Sequence, residues 1–312
     1  EGPVLELEGE QFIVTNNSAY TLRGQTEPGG EVTVNGTSVS VDAEGNFSHT
    51  VNLAEGSNTI TVVATNTSGA HTKKQTVFLD TQVPYIYSYS PANNSTVGGK
   101  QVQIYVAARD ESNSKIELIE IQVSPDDEIK WYTIGSMSKD QLNHSSSYSY
   151  GYYYWDSTAN IEGYGKLEDR AYKFRAIAHD WAGNISNGTP VWIWTLDNTA
   201  PAIPSNLTAT PSADKITLEW EANTETDLAS SPYRIYRSTR PGEGYEHVTY
   251  SNTTSYVDTN VELGITYHYV ITARDRLGNE SGYSNEVSAS PLVDVTPPEV
   301  TYVNISNGST IG

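Results

Sequence analysis

The hydrophobic positions of this chain recur every second residue and almost nowhere at helical spacing. In "KITLEWE", Ile216, Leu218 and Trp220 share one face, while Thr217, Glu219 and Glu221 share the other. The same alternation aligns Tyr267, Tyr269, Ile271 and Ala273 in "YHYVITA", and Tyr172, Phe174, Ala176 and Ala178 in "YKFRAIA". It aligns Val102, Ile104, Val106 and Ala108 in "VQIYVAA", and Ile60, Val62 and Ala64 in "ITVVA". A period of two over such lengths predicts half-buried strands. Turn clusters separate them: "EPGG", "DAEGN", "NNSTVGG" and "RPGEG". Many short strands with regular turn signals predict an all-β chain of sandwiches.

Two repeats set the number of modules. "ARDRLGNESGYS" (Ala273–Ser284), "AHDWAGNISNG" (Ala178–Gly188) and the fainter "ATNTSGAHT" (Ala64–Thr72) each follow such a strand. The Ala closes the inward row, the Asp or Asn starts a turn, and the Gly supplies positive φ. Each phrase is therefore a hairpin between the last two strands of a sandwich, and three copies mean three sandwiches. Separately, "DTQVPYIYSYSPANNSTVG" (Asp80–Gly98) aligns without a gap to "DVTPPEVTYVNISNGSTIG" (Asp294–Gly312). A related junction, "LDNTAPAIP", starts at Leu196. These Asp-then-Pro stretches read as short, stiff joints. The expected domains are 1–80, 81–199, 200–292, and the opening of a further repeat, truncated, at 293–312. The chain reads as a piece of a longer protein. Three sandwiches end to end in an extended array would reach roughly 100 Å.

Residues from about Ala200 to Leu292 resemble a fibronectin type III domain. "PSNLTATPSADKITLEWEAN" carries the match with its core Trp220, followed by "YRIYRS" and "VELGITYHYVITARDRLGNESGYSNEVSASP". Tyr267 stands where that family has its corner tyrosine, with Val261 in place of the usual Leu. Residues from about Val4 to Asp80 resemble bacterial Ig-like repeats of the glucodextranase type, through "YTLRGQTEPGGEVTVNGTSVSVDAEGNFSHTVNLAEGSNTITVVATN". Asn58 stands there where the other two domains have Tyr172 and Tyr267, so no tyrosine corner is expected. Residues 81–199 resemble a second bacterial Ig-like domain, with the aromatic-rich stretch "SMSKDQLNHSSSYSYGYYYWDSTANIEGYGKLED" longer than usual. The order resembles the exported stalks of large bacterial surface proteins. Similar strings occur in adhesins, in Rhs/YD-repeat proteins and beside polysaccharide-degrading enzymes.

Composition narrows the function classes. The 312 residues carry 38 acidic and 18 basic side chains, a net charge of −20. That sign argues against nucleic acid and anionic membranes as partners. No stretch approaches the ~18 apolar residues of a membrane helix, so no membrane insertion is expected. Cysteine is absent, which removes disulfides and thiol metal sites. No nucleophile elbow, P-loop, dinucleotide fingerprint or paired-histidine motif is present. Carboxylate pairs such as Asp126–Asp127 and Glu225–Asp227 fall in turn-like segments. No catalytic residue is expected.

Two candidate sites remain. Calcium binds oxygen ligands, and Asp80, Asp197 and Asp294 stand at the three joints. The repeat hairpins holding Asp180 and Asn66 are expected at the same end of each sandwich, so each joint is a candidate interdomain calcium site. The competing explanation is that Asp caps a turn beside a Pro. The second candidate is an aromatic platform of Tyr152, Tyr154, Trp155, Trp192 and Trp194, a surface suited to stacking on sugar rings. Its competitor, which the reading favours, is a second face packed under the long insertion or a neighbouring domain. The expected function is a non-catalytic stalk or spacer at a bacterial cell surface or outside the cell, presenting flanking domains of the same polypeptide. A glycan- or protein-binding accessory module is the alternative.

Overall fold

The computed structural model describes residues 2–112 and 115–292. Every regular element among them is a strand. The proposed opening of a further repeat at 293–312, with Asp294, lies outside the described residues. Contacts divide the chain into two compact units, Glu1–Asn198 and Thr199–Gly312.

The first unit holds two sandwiches. In the first, Leu5–Leu7, Ala19–Thr26 and Asn46–Asn52 form a three-stranded sheet. It faces a five-stranded sheet in which Phe12–Thr15 runs parallel to Gly69–Leu79. Leu5, Leu22, Val32, Ile60, Val62 and Val77 fill the space between. The second sandwich repeats the plan. Ser95–Val97 runs parallel to Val191–Leu196 at one side of a five-stranded sheet. Opposite lies a four-stranded sheet ordered Asn143–His144, Ser149–Trp155, Val102–Arg109, Tyr85–Ser90. The long aromatic stretch thus contributes a full strand, Ser149–Trp155, paired along Val102–Arg109. The second unit is one sandwich with its own cluster around Leu218, Trp220, Ile235 and Tyr269.

The alternating residues point as their period requires. Ile104, Val106, Ala108, Phe174, Ala176, Ile216, Leu218 and Ile271 are fully buried. Each Val, Ile, Leu or Phe among them contributes about 1.5–3 kcal/mol by leaving water. Both expected tyrosine corners form: the Glu262 N–H donates to the Tyr267 hydroxyl at 3.1 Å, and Glu168 N–H to that of Tyr172 at 3.0 Å. The first sandwich, lacking the tyrosine, builds a corner from Asn58. Its Oδ1 accepts from Ala54 N–H at 2.9 Å and its Nδ2 donates to the Ala54 carbonyl at 2.7 Å. A short amide thus ties down the same corner that a phenol reaches elsewhere.

Candidate functional site

The repeated phrase folds as a self-capped loop. Asp275 Oδ1 accepts from the N–H groups of Leu277, Gly278 and Asn279 at 2.7–2.9 Å, and Asn279 Nδ2 donates to Oδ2 at 2.7 Å. Asp180 and Asn184 repeat the last two bonds at 2.9 Å each. The "DAEGN" turn does likewise, with Asp42 and Asn46. Gly183, Gly278 and Gly45 have φ of 92°, 93° and 89°, the left-handed turn that glycine adopts without steric cost. The phrase also sets the hairpin: Ala178 N–H donates to Ser186 Oγ at 2.8 Å, and Ala273 N–H to Ser281 Oγ at 2.9 Å. Much of the repeated polarity of these loops is therefore backbone capping.

Asp180 has further company. Asp80, which follows the Gly69–Leu79 strand, and Asp110, which follows Val102–Arg109, approach it closely. One carboxylate oxygen from each lies within 4.8 Å of the others. The three residues are 0%, 6% and 0% exposed. Gln82 N–H donates to Asp80 Oδ1 at 2.9 Å, and Asn184 Nδ2 donates to the Asp80 carbonyl at 2.9 Å. Ser112 Oγ sits against both Asp80 Oδ2, at 2.5 Å, and Asp110 Oδ1. Asp110 Oδ2 is buried with no hydrogen-bond partner. Burial pushes the carboxyls of Asp110 and Asp180 up, and the negative charge of Asp80 adds to both shifts. Of the expected joint residues, then, Asp80 enters a buried cluster. Asp197 lies at the other end of the second sandwich. It follows Leu196 where that strand meets Arg170 and Ala171, the end opposite Asp180.

The aromatic stretch resolves into two groups. Trp192 and Trp194 are fully buried and Trp155 is 5% exposed, so these three indoles are core and not platform. The register explains it: Trp192 pairs with Phe174 and Trp194 with Tyr172, on the core-facing row of the partner strand. Trp192 stacks on Tyr89 at 4.3 Å, and Trp194 lies 4.6 Å from Phe174. Tyr152 and Tyr154 point outward and are 51% and 57% exposed. They belong to a wider tyrosine face. Tyr152 sits directly across from Tyr105, whose ring lies 5.3 Å away, and Tyr105 also meets Tyr150 at 5.8 Å. Tyr148 stacks on Tyr87 at 5.8 Å. Gln103 Nε2 donates to the Tyr154 hydroxyl at 2.7 Å. The small Ala107, opposite Tyr150, is fully buried on this outer row. Burial, then the neighbouring phenols of Tyr148, Tyr152, Tyr150 and Tyr87, pushes the Tyr105 phenol up.

One member of each carboxylate pair noted in the sequence accepts backbone hydrogen bonds, and Asp127 pairs with Lys173 Nζ at 2.8 Å. Asp126 Oδ1 accepts from Lys130 N–H at 2.8 Å and from Ser124 Oγ at 3.0 Å. Glu225 Oε1 accepts from Ala202 N–H at 2.6 Å. The sandwich interiors are filled with apolar side chains.

A family model described as glucodextranase, domain B, matches residues 8–81. An amylopullulanase of Thermoanaerobacterium thermosulfurigenes is 44% identical over 100 residues, 32% of this chain and 5% of that protein. Exoglucanase B of Cellulomonas fimi is 29% identical over 148 residues, 45% of this chain and 13% of that protein. Chitinase A1 of Niallia circulans is 29% identical over 163 residues, 50% of this chain and 22% of that protein. The chain thus spans less than a quarter of the length of each of these relatives. Among solved structures, the fibronectin(III)-like modules of Clostridium thermocellum CbhA match 62% of this chain and 93% of theirs, at 14% identity and a TM-score of 0.35. Domains A168–A170 of titin match 93% and 98%, at 17% identity and a TM-score of 0.43. The chain is an all-β tandem of sandwiches, the first of which matches the glucodextranase domain B model. Among the described residues no helix is long and apolar enough to cross a membrane, which says nothing of a β-barrel.

Proposed function

We propose that the chain is a non-catalytic spacer of an extracellular bacterial protein that acts on polysaccharide. It presents neighbouring domains of the same polypeptide. The observation that carries this reading is the division of the described hydrophobic residues into three separate, filled clusters. Small independent cores suit a chain that sets distance, and among the described residues their interiors hold apolar side chains rather than the paired carboxylates of a glycosidase. The similarity to segments of an amylopullulanase, an exoglucanase and a chitinase supports the polysaccharide context. Incubation of the chain with pullulan, cellulose and chitin tests it: no reducing ends are expected, and turnover of any of them would refute the reading.

The tyrosine face favours a second reading, a glycan-contacting surface on the second sandwich. Tyrosine presents an apolar ring and a hydrogen-bonding edge at once, and the exposed row offers several side by side. If this face holds a sugar chain, affinity electrophoresis in gels containing soluble glucans will retard the wild-type chain. Tyr105→Ala with Tyr152→Ala will weaken that retardation at least roughly fivefold, given about 0.5–1.5 kcal/mol per aromatic contact. Equal mobility of the wild type with and without every glucan would dismiss it.

A further inference from the structure

We infer that Asp80, Asp110 and Asp180 form a calcium site, a conclusion that stands independently of the spacer reading. Four observations converge on it. First, three carboxylates lie together with facing oxygens within 4.8 Å. A calcium ion about 2.3–2.6 Å from each oxygen holds them no more than about 5 Å apart, so one ion spans the cluster. Second, all three are buried, and among the described residues none forms a salt bridge with Lys, Arg or His. Unpaired buried charge is strongly unfavourable. Third, Asp110 Oδ2 has no hydrogen-bond partner although its residue is 6% exposed. That oxygen is the feature backbone capping leaves unexplained, since Oδ1 alone receives the Ser112 N–H, at 2.7 Å. Fourth, Ser112 Oγ contacts carboxylate oxygens of both Asp80 and Asp110. A hydroxyl carries one proton and donates to one of them. The other contact places two oxygen lone pairs together, which a cation turns from repulsive to favourable.

The donor set selects the ion. Carboxylates and a hydroxyl are hard oxygen ligands, and no His or Cys joins the group, so zinc is disfavoured. Three carboxylates with a serine hydroxyl and solvent supply the six to eight oxygens that calcium takes, whereas magnesium usually keeps most of its waters. The site also joins elements of two sandwiches in one unit. Asp80 directly follows the Gly69–Leu79 strand, Asp110 directly follows Val102–Arg109, and Asp180 is the last residue of Ala171–Asp180. Calcium would fix the first of these to the other two.

Calorimetric titration of the chelator-treated full chain with calcium chloride, paired with thermal unfolding, tests the site. The wild type is expected to release binding heat, and saturating calcium to raise the melting temperature of residues 1–198 by at least about 4 °C. Asp110→Asn should weaken binding at least roughly tenfold. In chelator it should melt no lower than the wild type, because a buried charge has been removed. Asp42→Asn, in the exposed turn of the same loop type, should keep the full response. Absence of both heat and thermal shift in the wild type, or undiminished binding by Asp110→Asn, would overturn the assignment. Neither outcome bears on whether the chain is a spacer.

Discussion

Trp194→Ala is expected to lower the unfolding free energy of its sandwich by about 3–5 kcal/mol, the cost of truncating a fully buried large aromatic. Trp194 is completely shielded from solvent. Its ring packs against Phe174 at 4.6 Å and Trp192 at 5.7 Å, and its Nε1–H donates to the carbonyls of Pro91 and Ala92 at 3.2 Å. Truncation removes the contacts and leaves those carbonyls short of a donor. Urea unfolding followed by tryptophan fluorescence measures the effect. Trp131→Ala is the comparison: its ring carries the Arg175 guanidinium 4.2 Å from its centre and is only half-buried. It should cost about 1 kcal/mol. Equal losses for the two variants would mean that the indoles of the second sandwich are not its core.

Gly98→Ala should be nearly as damaging, for a different reason. A Cβ on Gly98 would lie 1.8 Å from the Asp197 carbonyl oxygen and 2.8 Å from its carbon. Both are backbone atoms, held where Ser95–Val97 pairs in parallel with Trp194–Leu196 and Asp197 N–H donates to the Val97 carbonyl at 3.0 Å. No flexible side chain can give way, so the strand pair must separate. A loss of about 2–4 kcal/mol is expected by urea titration. Gly99→Ala supplies the contrast: its φ is +90° but nothing lies within 4 Å of an added Cβ, so only backbone strain of about 1–2 kcal/mol remains. The "NNSTVG" phrase at Asn93–Gly98 thus ends on glycine because two backbones meet there.

Much of this architecture was legible in the chain. Rows such as Ile216, Leu218 and Trp220 declare their inward face because polar residues fill the alternate positions. The Ala-x-Asp ending of Ala178–Asp180 and Ala273–Asp275 locates the hairpins, because a capped turn demands Asp, Gly and Asn at fixed offsets. The strand Val191–Leu196 was ambiguous, since Val191 and Ile193 are as apolar as Trp192 and Trp194. Only pairing with Tyr172 and Phe174 decides which row faces inward. The acidic cluster was half legible. Asp80 was visible at a joint, but Asp110 meets it through tertiary folding across thirty residues of sequence. One local signal existed: Ala108-Arg109-Asp110 repeats the Ala-x-Asp ending at the close of another inward row. The Asn58 corner was hidden because an amide and a phenol share no sequence pattern, only an end point on the backbone.

A spacer of the proposed kind needs three separately packed cores. Stretching single molecules of the chain between two handles addresses it most directly. Independent cores will give three unfolding steps, releasing roughly 80, 115 and 95 residues of chain at about 3.6 Å each. One cooperative rupture that lengthens the molecule by the sum of these would contradict the account.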